Sequence, residues 1–293
     1  MILRVAVAKW RVGEPGDFPA FAARVRGEVL QAAAAGAQLL VLPEYLSLEL
    51  AATFDNAVRN DLHASLAAIQ RYRADWLQLF SDLARESGTT LVAGTFLLDA
   101  GDGRYRNRAD LFTSAGMHLW QDKLQLTGFE KSTAVIEPGD ALKVFDVDGV
   151  RLGIAICYDI EFPLLARAQW EAGARLLLVP SCTDTAAGAT RVRTGCLARA
   201  LENRCFVAQS VTAGEAAWSP ALDTNTGEAA VYAAMDVGLP ADGIVASTVG
   251  SVGTWVQASL DFDSLESSRC AAQVGIDRDW PRQLRPGLMR ARV

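Results

Sequence analysis

Histidine is almost missing from this chain, with His63 and His118 the only two. That scarcity leaves little material for the commonest general-base chemistry. Runs of lysine or arginine are missing too, and 28 basic against 34 acidic residues give a formal charge of −6. A nucleic-acid partner calls for a basic face, so that class is excluded. The short basic tail "RPGLMRARV" is too mixed to alter this and reads as a segment lying on the surface or on a second subunit. The longest apolar stretch, "AAAAGAQLLVL", is broken by Gln38 and falls short of the ~20 residues a membrane span takes. The opening "MILRVAVAKW" alternates like a strand and does not resemble a secretory leader. Five cysteines is an odd number, and none has CxxC spacing, which suggests neither a disulfide framework nor a zinc site. The expectation is a soluble protein of a reducing, cytoplasmic compartment, with no membrane and no metal.

What remains is an ordinary globular mix, 51% apolar and 21% charged over 293 residues. Ile2–Ala8 reads as a buried strand, Phe18–Ala35 as a helix ending at Gly36, and Gln38–Leu42 as a second strand stopped by Pro43. That is a βαβ unit. Asp61–Ser87 is helical in two pieces, Thr89–Leu97 a strand, and "DAGDGRY" a hairpin turn leading into Asn107–Thr113. Met117–Asp122 follows as a strand. A second cycle has strands at Leu142–Val147 and Val150–Ile156, a helix at Phe162–Ala172 and a strand at Arg175–Val179. A helix at Thr190–Asn203 and a strand at Phe206–Ser210 complete it. Gly214–Asp242 reads as loops and short strands, and Val256–Phe262 as a late strand. No repeat and no linker is visible, so the class is α/β and the expectation one continuous domain over 1–293, with 263–293 an extension at a subunit interface.

Reactive groups in open α/β sheets gather beyond the carboxyl ends of strands. Glu44 follows "QLLVLP", Lys123 follows "MHLWQD" and Cys157 follows "RLGIAI". Each alone has a plain reading, as a solvated acid, a surface lysine and a core cysteine. Together they have a chemical logic. A thiol is mostly protonated at neutral pH and needs a base or a cation to become a strong nucleophile. His63 lies in a helical region and His118 inside a strand, so a carboxylate and a lysine are the available partners.

The segments "LPEY", "QDKLQLTGFE" and "GIAICYDIEFP" resemble the three signature segments of the nitrilase superfamily, the carbon–nitrogen hydrolases. "VPSCTDT" and "ARALENRCFVAQS" resemble its second half, so the likeness runs from Ile2 to about Phe262. The resemblance implies a four-layer α-β-β-α sandwich, subunits paired into a homodimer or higher homo-oligomer, and no metal or organic cofactor. It implies Cys157 as nucleophile, Glu44 as general base and then acid, and Lys123 with the backbone N–H of Tyr158 as holder of the oxyanion. Glu130 matches a second glutamate of the superfamily; its plain reading is a loop acid beside Lys131.

Cys182 also follows a strand, "ARLLLVP", and with Thr183 is a candidate substrate contact, Cys157 remaining the nucleophile. Cys196 and Cys205 read as packing residues, Cys270 as uninformative. Arg199 and Glu202 read as an ion pair on one helix face. "WSPALDTNTGEA" is either a loop over the site mouth or a surface turn, and Tyr45–Arg59 is the candidate lid. The implied activity is hydrolysis of a small amide or N-carbamoyl compound through a cysteine thioester. Nitrile hydrolysis, acyl transfer and a non-catalytic binding relative stay open. Tyr158-Asp159 stands where true nitrile hydrolases tend to have Trp-Glu, which favours the amidase-like branches.

Overall fold

The computed structural model describes residues 1–251 and 253–291. Residues 292–293 of the expected extension and of the basic tail lie outside the described residues.

The chain begins with β1 (Ile2–Arg11), α1 (Phe18–Ala34) and β2 (Leu39–Leu42). Asp17 starts α1 by accepting the Ala20 N–H at 2.7 Å, and Pro19 fits the first turn, where its missing donor costs nothing. Three helices follow, α2 (Asn56–Arg59), α3 (Leu62–Ile69) and α4 (Arg73–Ser87), then β3 (Thr90–Gly101), β4 (Arg104–Phe112), β5 (His118–Asp122) and α5 (Gly128–Ser132). The second half runs β6 (Val144–Val147), β7 (Val150–Ile154), α6 (Pro163–Glu171), β8 (Leu176–Ser181), α7 (Ala186–Asn203) and β9 (Phe206–Glu215). Short strands β10 (Thr224–Asn225), β11 (Ala230–Tyr232) and β12 (Ile244–Ser247) precede β13 (Trp255–Asp261), α8 (Phe262–Ala271) and α9 (Ile276–Asp279).

These strands make two sheets. The first runs β13-β1-β2-β3-β4-β5, the second β9-β8-β7-β6 with β11 and β12 beyond β9. β1 belongs to both: Val5–Val7 pair with Leu39–Val41 of β2, while Lys9–Arg11 pair with Val211–Ala213 of β9. Side chains alternate across a strand, and the burial follows that rule. Leu3, Val5 and Val7 join the core that includes the second sheet, whereas Ala6, Ala8 and Trp10 join the core beneath α1 and α4. Phe21, Val25, Val29 and Ala32 form the buried stripe of α1, at the spacing of one helix face. On the far side, α6 and α7 cover the second sheet, with Ala166, Val192, Cys196 and Ala200 buried against it. The result is the expected α-β-β-α sandwich. Strands β1, β2 and β3 are parallel, as are β7, β8 and β9, so the carboxyl ends of β2, β7 and β8 open at one end of the sandwich.

Two expectations shift. The strand before Cys157 ends at Ile154, two residues earlier than the apolar run, because Ala155 and Ile156 lead into a 3-10 turn at Cys157–Glu161. The expected lid, Tyr45–Arg59, is buried over its first half and half-buried or exposed only from Thr53 on: Leu46–Thr53 is a 3-10 segment whose residues 46–52 are all buried. Its acid, Glu49, accepts from the Trp10 indole at 2.7 Å and the Gly13 N–H at 2.8 Å, and pairs with Arg24, which fixes the segment in place.

Candidate active site

Glu44 is aimed by a tight backbone approach. Gly94 of β3 sits at φ +70, and a Cβ there would lie 2.2 Å from the Pro43 carbonyl oxygen, so only glycine fits. Next to it, Thr95 donates its N–H to that carbonyl at 3.2 Å, and its hydroxyl accepts the Tyr45 N–H at 2.8 Å. Tyr45 itself takes a left-handed φ of 62, which turns the chain sharply after Glu44. From the second sheet, the Thr212 hydroxyl donates to the Glu44 carbonyl at 2.6 Å.

Lys123 follows β5, and its Nζ lies 2.8 Å from Glu44 Oε1 and 2.8 Å from Glu130 Oε2. Glu130 is no loop acid: it occupies the third position of α5 and completes a capping box with Thr127, whose N–H it accepts at 2.9 Å. The Tyr45 hydroxyl donates to its other oxygen at 2.8 Å. Asn107, on the buried face of β4, reaches both acids, donating to Glu44 Oε1 at 2.8 Å and to Glu130 Oε1 at 3.3 Å. Glu44, Tyr45, Asn107, Lys123 and Glu130 are all buried, and Thr127 is half-buried.

Cys157 opens the 3-10 turn at a left-handed φ of 48, strain of a kind that concentrates at functional sites. Asp159, two residues on, clamps this turn to the Lys123 loop. Its carboxylate accepts the N–H groups of Gln125 at 2.7 Å, Leu124 at 3.1 Å and Ile156 at 3.2 Å. The turn also rests on α7, where Arg199 donates to the Ile160 carbonyl at 3.0 Å and Gly195 leaves room for that carbonyl. Arg199 pairs with Glu202 at 2.8 Å, as its spacing suggested. The Cys157 thiol points its hydrogen at the Cys182 carbonyl, 3.4 Å away.

Burial lifts the Glu44 carboxyl above the usual range; the Lys123 ammonium pulls it back and the Glu130 charge adds to the rise. Burial pushes Glu130 the same way, but Lys123 and hydrogen bonds from Thr127 and Tyr45 outweigh it and hold Glu130 low. Lys123 loses solvation yet keeps its proton firmly, because two carboxylates face it. Burial and the neighbouring Glu44 charge push the Cys157 thiol well up, against the pull of Lys123. Two acids around one cation thus differ in character, one saturated with donors and one left more basic.

These groups border a cavity of about 290 Å³, large enough for a small metabolite. Glu44, Lys123 and Cys157 meet there, with Tyr158, Cys182 and Thr183 on the walls, while Glu130 lies behind Lys123. Strand β8 does neighbour β7, which brings Cys182 beside Cys157. The Cys182 thiol is bonded to Asn225 at 3.1 Å, and the Thr183 hydroxyl to the Thr226 carbonyl at 2.6 Å, so both side chains also tie down the loop opposite. That loop is part of "WSPALDTNTGEA": Pro220, Ala221 and Asp223–Asn225 line the cavity, which makes it the mouth and not a detached surface turn. Sequence reasoning missed Tyr45, Asn107 and Asp159. For Asn107 a signal existed, since strand alternation in "RYRNRADLF" puts it on the inward face with Tyr105 and Ala109. Among the described residues, no three His, Cys, Asp or Glu side chains converge as a metal site requires.

A sequence model of the family described as Carbon-nitrogen hydrolase matches residues 4–259. A probable hydrolase of Bacillus subtilis is 31% identical over 269 residues, which cover 91% of this chain and 51% of that protein. The chain thus spans about half the length of that relative. An omega-amidase of Xenopus laevis is 27% identical over 266 residues, 87% of each chain. Among solved structures, Nit3 of Saccharomyces cerevisiae, a nitrilase-superfamily member, superposes with a TM-score of 0.73 at 23% identity, covering 93% of this chain and 95% of its own.

Proposed function

The chain belongs to the carbon–nitrogen hydrolase family, and on that premise we propose that it hydrolyses the C–N bond of a small amide or N-carbamoyl compound by way of a Cys157 thioester. One observation carries the reading: Lys123 Nζ sits 2.8 Å from each of two buried carboxylates at the cavity that Cys157 opens into. In this mechanism Glu44 accepts the Cys157 proton as sulfur attacks the substrate carbonyl carbon. The raised thiol pKa supports transfer at the moment of attack over a standing thiolate. The oxyanion that forms is held by the Lys123 ammonium and by the Tyr158 N–H, which comes too early in its turn to find an acceptor within it. Glu44 then gives its proton to the departing amine; a water deprotonated by Glu44 attacks the thioester carbon, the C–S bond breaks, and the proton returns to the Cys157 sulfur as the acid leaves. Glu130 stays ionised and holds Lys123 in place.

The substrate is small, in keeping with the cavity, and the family resemblance to an omega-amidase favours an amide over a nitrile. The same reading takes 1–293 as one hydrolase domain of a cytoplasmic homodimer, with 263–293 at the subunit interface. No helix among the described residues is long and apolar enough to cross a membrane.

The test begins in a Cys270→Ser background, since Cys270 is the exposed thiol. Iodoacetamide is expected to modify Cys157 ahead of buried Cys196 and Cys205, and Glu44→Gln to abolish that preference. Incubation with amide, carbamoyl and nitrile panels is expected to release ammonia and to leave an acyl mass on the wild type that Cys157→Ala lacks. Equal, slow labelling of all thiols with no adduct from any panel would sink the proposal and leave a binding protein.

A further inference from the structure

The two carboxylates beside Lys123 share a second partner that carries no charge. Asn107 donates from one nitrogen to Glu44 Oε1 at 2.8 Å and to Glu130 Oε1 at 3.3 Å. Its backbone carbonyl accepts the Lys123 N–H at 2.8 Å, so the same residue seats the lysine's main chain. Asn107 is buried, and its Oδ1 has no hydrogen-bond partner. Turning the amide over would set that oxygen against two carboxylates and strand the nitrogen, so the donor orientation is fixed by its surroundings. An unpartnered buried carbonyl is a cost, and it is accepted here only on the side away from the acids.

We propose that Asn107 is a positioning residue of the reaction: its amide locks Glu44 Oε1, leaving the second oxygen of Glu44 as the atom that exchanges protons with Cys157. The division of donors supports this. Glu130 is bonded through both oxygens, to Lys123, Thr127, Tyr45 and Asn107. Glu44 receives Lys123 and Asn107 on Oε1 alone, and its carboxylate also has the Cys157 thiol as a hydrogen-bonding neighbour. A neutral donor suits the place. A second cation would pull Glu44 down toward the ordinary carboxylate range and weaken it as a base, while a hydrogen bond fixes its orientation with a smaller effect on its basicity.

The inference rests on the function proposed above, but its test needs no substrate. Glu44 is faced by Lys123, Glu130, Tyr45, Cys157 and Cys182, so its titration is read against wild type and not in isolation. The measurement is the rate of Cys157 alkylation by iodoacetamide from pH 5 to 9, by intact mass, in the full chain carrying Cys270→Ser. Asn107→Leu keeps the volume and removes the donor. It is expected to slow alkylation about tenfold near neutrality and to move its acidic limb up by about one pH unit, because the charged form of Glu44 loses a hydrogen bond. Asn107→Ala, which removes the donor without adding bulk or charge, covers the case in which the leucine variant does not fold and is expected to move the rate and the limb in the same direction. A wild-type rate and limb in either folded variant overturns the inference. Insensitivity of the wild-type rate to Glu44→Gln would instead overturn the mechanism on which it rests.

Discussion

At the scale of single residues, the site is a problem of placing two negative charges beside one positive charge out of water. Lys123 is the pivot, so under the proposed mechanism Lys123→Ala should remove oxyanion stabilisation and free two buried carboxylates to repel. The turnover number is expected to fall ~10²–10³-fold, the usual cost of losing such a donor. The pH dependence follows from Glu44. A base must be ionised to work, and the carboxyl pKa of Glu44 lies above the ordinary 4.5, so kcat/KM should fall as pH drops through that raised value. Glu130 should leave no limb in the same range, because its pKa is held below 4.5. Titrating kcat/KM in wild type and Glu130→Gln checks both statements. Glu44, Lys123 and Cys157 were legible because each follows a strand and the three together supply an acid, a cation and a thiol. Tyr45, Asn107 and Asp159 were not, since each acts through a partner far away in sequence: Tyr45 on Glu130, Asn107 on Glu44, and Asp159 on the loop after Lys123.

At the scale of elements, the turn that carries Cys157 is held from two sides. Asp159 ties it to the Lys123 loop, and burial pushes this carboxyl from 3.8 up to about 7 against the hydrogen bonds it accepts. The fold therefore favours the protonated acid. On this group's account stability is fully present below about pH 4 and declines as pH rises toward about 7, by roughly 1.4 kcal/mol per pH unit across that window. Asp159→Asn should flatten the urea midpoint between pH 4 and 7 relative to wild type, and should slow Cys157 alkylation by loosening the turn. On the other side α7 presses close. A Cβ on Gly195 would meet the Ile160 carbonyl at 3.0 Å and the Ile160 Cγ2 at 3.1 Å. Gly195→Ala is expected to cost about 1–3 kcal/mol in denaturant unfolding and to lower activity at full occupancy. None of this closeness was readable in advance: Gly195 sits mid-helix, where sequence offers only a propensity penalty. Helix α7 also begins at Ala186, ahead of the expected Thr190, because Thr185 caps it by accepting the Gly188 N–H at 3.1 Å. The buried 3-10 segment after Glu44 reads as a lid in sequence because Glu49 looks solvated, whereas Trp10 and Arg24 satisfy it from a strand and a helix earlier in the chain.

At the scale of the molecule, alternation of strand and helix was enough to read the layers, but not the way the sheets join. That depends on β1 pairing with β2 along its middle and β9 at its end, a split that no local pattern announces. Sharing a strand, the sheets should unfold together, and urea transitions followed by tryptophan fluorescence and far-UV dichroism should coincide. The chemistry straddles the same division. Glu44, Asn107 and Lys123 stand at or on strands of the first sheet, whereas Cys157 and Cys182 follow β7 and β8 of the second. Leu152 of β7 faces the first sheet, since the neighbouring Gly153 faces Gln169 of α6. Leu152→Ala is therefore expected to cost about 2–5 kcal/mol in stability. Under the proposed mechanism the thiol proton passes between residues carried by different sheets, so the thickness of the sandwich helps set how closely the Glu44 carboxylate and the Cys157 thiol meet. Alkylation of Cys157 then serves as a gauge of that thickness. Interior repacking that conserves volume should leave the gauge unmoved, and repacking that swells the layer should slow it without altering any residue that lines the cavity.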